Sequence, residues 1–162
     1  MTIAAQLNAV VAALKAWCET RGSTAEVAGD PFHLLALLQT KPGSVRAVVL
    51  FAGETKRGEI EESGIVDRSF SVVLSRGQGL TLSPGDSLVK GAGGGPPLFQ
   101  LVEEARQIVR GLQFEDTLVI PIDSLTTEVT PNYLGCEPFA VDDKRLDAYQ
   151  LNFQIGTQLP AA

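Results

Sequence analysis

The sequence predicts an α+β domain: a mostly antiparallel sheet with two main amphipathic helices packed on one face. Two stretches, residues 2–21 and 98–112, place apolar residues at three- and four-residue spacings, the period of a helix buried along one stripe. Other stretches are β-branched runs, or alternate apolar with polar residues as half-buried strands do. No strand–helix–strand unit repeats, which leaves antiparallel strands sharing one face with the helices.

The elements follow in order. In residues 2–21 the stripe is Ile3, Leu7, Val10, Val11, Leu14, Trp17 and Cys18, the intervening alanines favour helix, and Gly22 supplies a stop. Asp30-Pro31 reads as an N-cap followed by proline at the first helical position, opening a short apolar turn or helix from Phe32 to Gln39. Val45 to Phe51 is a β-branched run that suits a central strand. Residues 52–67 carry mixed charge and fit neither period, which predicts a long loop or an extended hairpin arm. Arg68 to Arg76 is the next strand, with Phe70, Val72 and Leu74 on one face and Ser71, Val73 and Ser75 on the other. Loop follows from 77 to 97, through the turn signal Ser83-Pro84-Gly85-Asp86 and the glycine tract 91–95.

Leu98, Leu101, Val102, Ala105, Ile108, Val109 and Leu112 form the clearest helical stripe, with Glu103, Glu104, Arg106 and Arg110 facing water. Leu118 to Asp123 reads as a strand that Pro121 restricts to a sheet edge, continued by Leu125, Thr127 and Val129. A loop containing proline and glycine leads to the last strand, Ala148 to Leu159, where Tyr149, Leu151, Phe153 and Ile155 alternate with Gln150, Asn152, Gln154 and Gly156.

Composition narrows the class. The 162 residues suit a single domain spanning 1–162, with long loops at 52–67 and 77–97. An apolar share of 44% and a charged share of 20% exclude a disordered chain. Two cysteines, Cys18 and Cys136, do not make a disulfide scaffold. A formal charge of −6 argues against a surface built to neutralise nucleic-acid phosphates or anionic lipid, so neither sequence-specific nucleic acid nor membrane is expected as a partner. Residues 1–21 carry no basic leader or small-residue cleavage site, and no uncharged apolar run approaches the roughly 20 residues that span a bilayer. The expectation is a protein made and kept in the cytosol, or in something assembled there.

The chemical motifs fail on their requirements. Gly85-Asp86-Ser87-Leu88 spells the signature of the GDSL esterases, yet a serine nucleophile needs a base, and the single histidine, His33, lies upstream of Ser87. A turn explains the tetrapeptide. The glycine tract 91–95 lacks the Gly-Lys-Ser/Thr of a phosphate loop and leads into Pro96-Pro97, so a connector is the better reading. Cys18 sits on an apolar stripe as a small core residue, Cys136 is isolated in a loop beside Gly135, and His33 lies on an apolar segment. Glu61-Glu62 and Asp142-Asp143 stand among compensating basic residues, as solvated loops do. No catalytic, cofactor-binding or metal-ligating residue is expected, and no enzyme activity.

Three regions resemble a known family: Val45–Phe51 with Arg68–Leu74 and the polar arm between them; the helix Leu98–Leu112 ending at Gly111; and the terminal strand Ala148–Phe153. Together they resemble the tail-terminator and minor tail proteins of long-tailed bacteriophages, of the lambda-type terminator. The resemblance implies a homo-oligomeric ring, typically a hexamer, seated on the tail tube, where it stops polymerisation and offers a docking surface for the head. The implied partners are further copies of the chain, the tail tube protein and a head-completion protein, in a virion tail assembled in the host cytoplasm, with DNA passing through the lumen. On this reading the interface takes Glu54, Lys56, Arg57, Glu59, Glu61 and Glu62 from the arm, and Gln150, Asn152 and Gln154 from the polar face of the last strand. The strand holding Pro121 would pair, or be blocked, at a subunit contact. A head–tail connector, neck or other minor tail protein is the nearest alternative; a small GDSL-like esterase is the second, and a monomeric domain with ordinary surface loops is the plain one.

Overall fold

The computed structural model describes residues 2–20, 24–28, 45–56, 65–77, 96–119, 126–139 and 146–158. In chain order these form α1 (Ile3–Glu19), β1 (Thr24–Ala28), β2 (Val45–Lys56), β3 (Ile65–Gly77), α2 (Leu98–Arg110), β4 (Phe114–Val119), β5 (Thr126–Val129), β6 (Asn132–Pro138) and β7 (Leu146–Gln158). The main sheet has the order β1-β2-β3-β7-β6, and β4 and β5 form a separate two-stranded sheet. Only β1 against β2 is parallel in the main sheet; the other three pairings are antiparallel. The architecture is α+β, as the sequence predicts.

Alternation along the strands puts Val45, Ala47 and Val49 on the same face as Phe70, Val72 and Leu74 and as Leu151, Phe153 and Ile155. Both helices close over that face. From α1 come Leu7, Val10, Leu14 and Cys18; from α2 come Leu98, Leu101, Val102, Ala105 and Val109, with Phe114 at the start of β4. Phe70 and Phe153 stack there with ring centroids 5.4 Å apart. Each large aliphatic side chain removed from water in this layer contributes about 1.5–3 kcal/mol, which is what holds sheet and helices together. The opposite face of the sheet is also buried in part, at Val48, Val73 and Ala148.

The helices end where local chemistry ends them. Thr2 caps α1, its hydroxyl accepting the Ala5 N–H at 3.1 Å, and the Thr20 hydroxyl donates to the Trp17 carbonyl at 2.7 Å. The helix therefore stops at Glu19, and Gly22 lies outside the described residues. α2 stops at Arg110, two residues short of the expected Leu112: the Gly111 N–H still makes the helical bond to the Gln107 carbonyl at 3.0 Å, but the Leu112 N–H turns to the Val109 carbonyl at 3.2 Å, a tighter three-residue step that closes the last turn. Two of its expected water-facing charges are half-buried: Glu104 accepts the Trp17 indole N–H at 2.9 Å, and Arg106 lies over the Tyr133 ring at 5.5 Å.

Two expectations are corrected, one is decided between its alternatives, and one strand is new. The 52–67 segment, expected as a long loop or an extended hairpin arm, takes the second form at its described ends: β2 runs on to Lys56 and β3 begins at Ile65, paired antiparallel. A bulge between Phe51 and Gly53 lets the ladder cross this charged stretch, with Gly53 at φ 141°. The 118–129 segment is not one strand but the antiparallel pair β4 and β5, whose ladder is interrupted between Phe114 and Leu118. The loop assigned before the last strand contains β6, so Cys136 sits on a strand rather than in a loop. Asn, Gly and Pro hide β6 from propensity, but β7 has an edge to pair and β6 takes it. Thr24–Ala28, which no expectation covered, forms β1, a five-residue strand that rests on β2 for its ladder. The expected short helix at 32–39, Pro121 and the glycine tract lie outside the described residues.

Candidate functional site

Of the nine residues expected at an interface, five are described, and they lie in two places. Glu54 and Lys56 stand at the distal end of β2, and Lys56 is exposed. Arg57, Glu59, Glu61 and Glu62 lie outside the described residues. Gln150, Asn152 and Gln154 are on β7, on the sheet face away from the helices, whereas Glu54 is opposite Arg68 on the helix side.

Gln150 and Asn152 do come together. The Gln150 amide donates to Ser71 Oγ at 3.1 Å and to Asn152 Oδ1 at 2.8 Å, and the Ser71 hydroxyl donates to the same Oδ1 at 2.8 Å. The Asn152 amide in turn donates to Glu137 Oε1 on β6 at 3.2 Å. This ladder crosses β3, β7 and β6, and its side chains largely satisfy one another. Such a surface is polar without carrying a strong charge.

A second polar group lies on the helix side, and the sequence reading missed it. Arg68 is 7% exposed; its Nε donates to Glu54 Oε2 at 2.8 Å and its Nη1 to Gln6 Oε1 at 3.1 Å. The Gln6 amide donates to Thr157 Oγ1 at 2.8 Å, with Gln6 and Thr157 both buried. A buried guanidinium is tolerable only when its donors are met, and here α1 and β2 supply partners to a side chain carried on β3. The signal was present in the alternation: Arg68 and Arg76 occupy the same parity as Phe70, Val72 and Leu74, which places both guanidinium groups on the buried face. Arg76 is fully buried and donates through Nη1 to the Pro96 carbonyl, one residue before the N-cap of α2. Burial pushes its pKa below the ordinary value.

The rim formed by β6 and α2 gathers aromatic groups. Phe99, 39% exposed, meets Tyr149 edge-on at 5.2 Å, and Leu134, at the β6 bulge, is 55% exposed. Tyr133 packs against Phe153, beneath Arg106. Burial, and then the adjacent Cys136 thiol, raise the Tyr133 pKa above the ordinary 10.0, while Arg106 pulls the other way. Cys136 is exposed, and Cys18 is buried in the core as its stripe predicts.

His33, Ser87, Glu61-Glu62 and Asp142-Asp143 lie outside the described residues. Among the described residues no group of three or more His, Cys, Asp or Glu could hold a metal ion, and no helix is long and apolar enough to cross a membrane. No protein-family model and no curated protein matches this chain.

Proposed function

We propose that this chain is the subunit of a tail-terminator-like ring in a long-tailed bacteriophage, capping the tail tube and docking the head. The observation that carries the reading is the distal half of β2. Among the described residues, β1 pairs with β2 only as far as Leu50, while β2 continues to Lys56. Six residues, about 20 Å of strand at ~3.3 Å each, therefore run beyond the last residue pair with β1. Ala52, Glu54, Thr55 and Lys56 are exposed there. An exposed strand end carried on a rigid sheet is suited to reach a neighbouring subunit, and it forms part of the strand–polar arm–strand unit on which the family resemblance rests. The self-satisfied ladder on β7, made of amides, a hydroxyl and the Glu137 carboxylate, suits a face turned to passing DNA, since it offers no cations to phosphates.

Light scattering on a sizing column, followed by electron microscopy of the purified protein with and without tail tubes, tests the reading. A hexamer, or a monomer that becomes a ring at tube ends, supports it. A monomer indifferent to tubes overturns it.

A further inference from the structure

The place where β2 extends beyond β1 coincides with the Glu54–Arg68–Gln6–Thr157 network. Up to Phe51 the odd positions of β2 face the helices; after the bulge Glu54 does so, paired in register with Arg68. The extra residue thus delivers a carboxylate to a guanidinium that the β3 alternation has already placed on the buried face. Arg68 spends two edges of its planar fork on two elements, Nε on Glu54 of β2 and Nη1 on Gln6 of α1. Gln6 then reaches Thr157 on β7. Gln6 lies 62 residues from Arg68 and 151 from Thr157, so the network joins segments that chain connectivity does not hold together.

We propose that Arg68 is a positioning residue that locks the distal end of β2 to the first turn of α1, so that the two open and close as one unit. The geometry favours coupling over independent fraying. The exposed end of β2 has a bulge and exposed side chains, features that alone favour local opening. Opening it would strip Glu54 from Arg68 and leave a buried guanidinium short of its charge partner. Opening the first turn of α1 would remove Gln6 from the same group. Each movement exposes or orphans the group that the other end is holding. This inference is independent of the ring reading, because the unit belongs to one chain.

Hydrogen exchange by mass spectrometry on the isolated protein tests it, comparing Gln6→Leu and Arg68→Lys with the parent. Gln6→Leu removes the bonds to Arg68 and Thr157 and leaves the Glu54–Arg68 pair in place; Arg68→Lys keeps the charge and loses the fork. The expected result is at least tenfold faster exchange in peptides covering 51–56 and 65–69 in Gln6→Leu, with peptides covering 45–50 and 70–75 within twofold of the parent. Arg68→Lys should give the same pattern together with faster exchange at residues 3–7. Unchanged exchange at 51–56 in Gln6→Leu overturns the proposal. So does a uniform rise across the sheet in either variant, since that marks a general loss of stability instead of a coupled unit.

Discussion

Trp17, the only tryptophan of the chain, donates its indole N–H to Glu104 across the two helices, and Glu104 also accepts from Gln100 at 2.9 Å. The contact is partly buried, so Glu104→Ala should cost about 1.5 kcal/mol, the low end for a bond to a charged group. It should also alter the tryptophan emission, and unaltered emission would show that the indole does not sense this carboxylate. Core residues have larger effects. Leu151 is fully buried on β7, an interior strand of the sheet, and Leu151→Ala should cost about 2–5 kcal/mol in urea unfolding through lost transfer energy and the cavity left behind. Tyr133 adds a dependence on pH. Its folded-state pKa is raised, so the folded protein keeps a proton that the unfolded chain releases, and stability falls as pH climbs above about 10. Tyr133→Phe should flatten that decline, as followed by denaturation midpoints between pH 9 and 11.

At the scale of elements, two bulged strands depend on glycine at unusual backbone angles: Gly53 at φ 141° in β2 and Gly135 at φ 139° in β6. A Cβ at either position would meet nothing within 4 Å, so an alanine there strains only the backbone. Gly53→Ala and Gly135→Ala should each cost about 1–3 kcal/mol, additively, because β3 and β7 separate the two strands. A double variant well off the sum would mean that the bulges communicate through the sheet. These strands also show what could be read from the chain beforehand. The β3 and β7 alternations and both helical stripes were legible, because burial of one face imposes a strict period on side chains. β6 was not, because an edge strand with Asn132, Gly135 and Pro138 owes its conformation to the ladder that β7 offers. The exposed end of β2 was half legible: its charges suggested an arm, but only pairing with β3 makes it strand. The Arg68 network was readable by parity and obscured by its polarity, since a charge on an apolar face is ordinarily read as an irregularity.

In the whole molecule, a two-layer core couples with a sheet whose two sides differ. The helix side carries the stacked aromatics and the Arg68 network; the far side carries Val48, Val73 and Ala148 and the Ser71–Gln150–Asn152 ladder. Both edges are strands of low propensity, and β6 ends in a proline and contains a bulge, devices that discourage unintended pairing along an exposed edge. At this scale Asn152→Leu is informative. It breaks the ladder on β7 while leaving the helix side untouched, and should cost about 1 kcal/mol, chiefly by taking the acceptor from the Ser71 hydroxyl, since the exposed Glu137 turns to water. If the ring reading holds, the same change should leave oligomeric state intact and alter only how DNA moves through the lumen; a variant that becomes monomeric would relocate the subunit contact to this face. The order of the sheet also has a bearing on synthesis. β7 lies between β3 and β6, and Thr157 is held by Gln6 from 151 residues earlier. At about 5–20 residues per second a ribosome needs roughly 8–30 s to travel that distance. For about the second half of that interval Phe70, Val72 and Leu74 wait without β7 beside them. A nascent chain built this way is an early client for holding chaperones, and its yield should depend on how promptly its final strand is delivered.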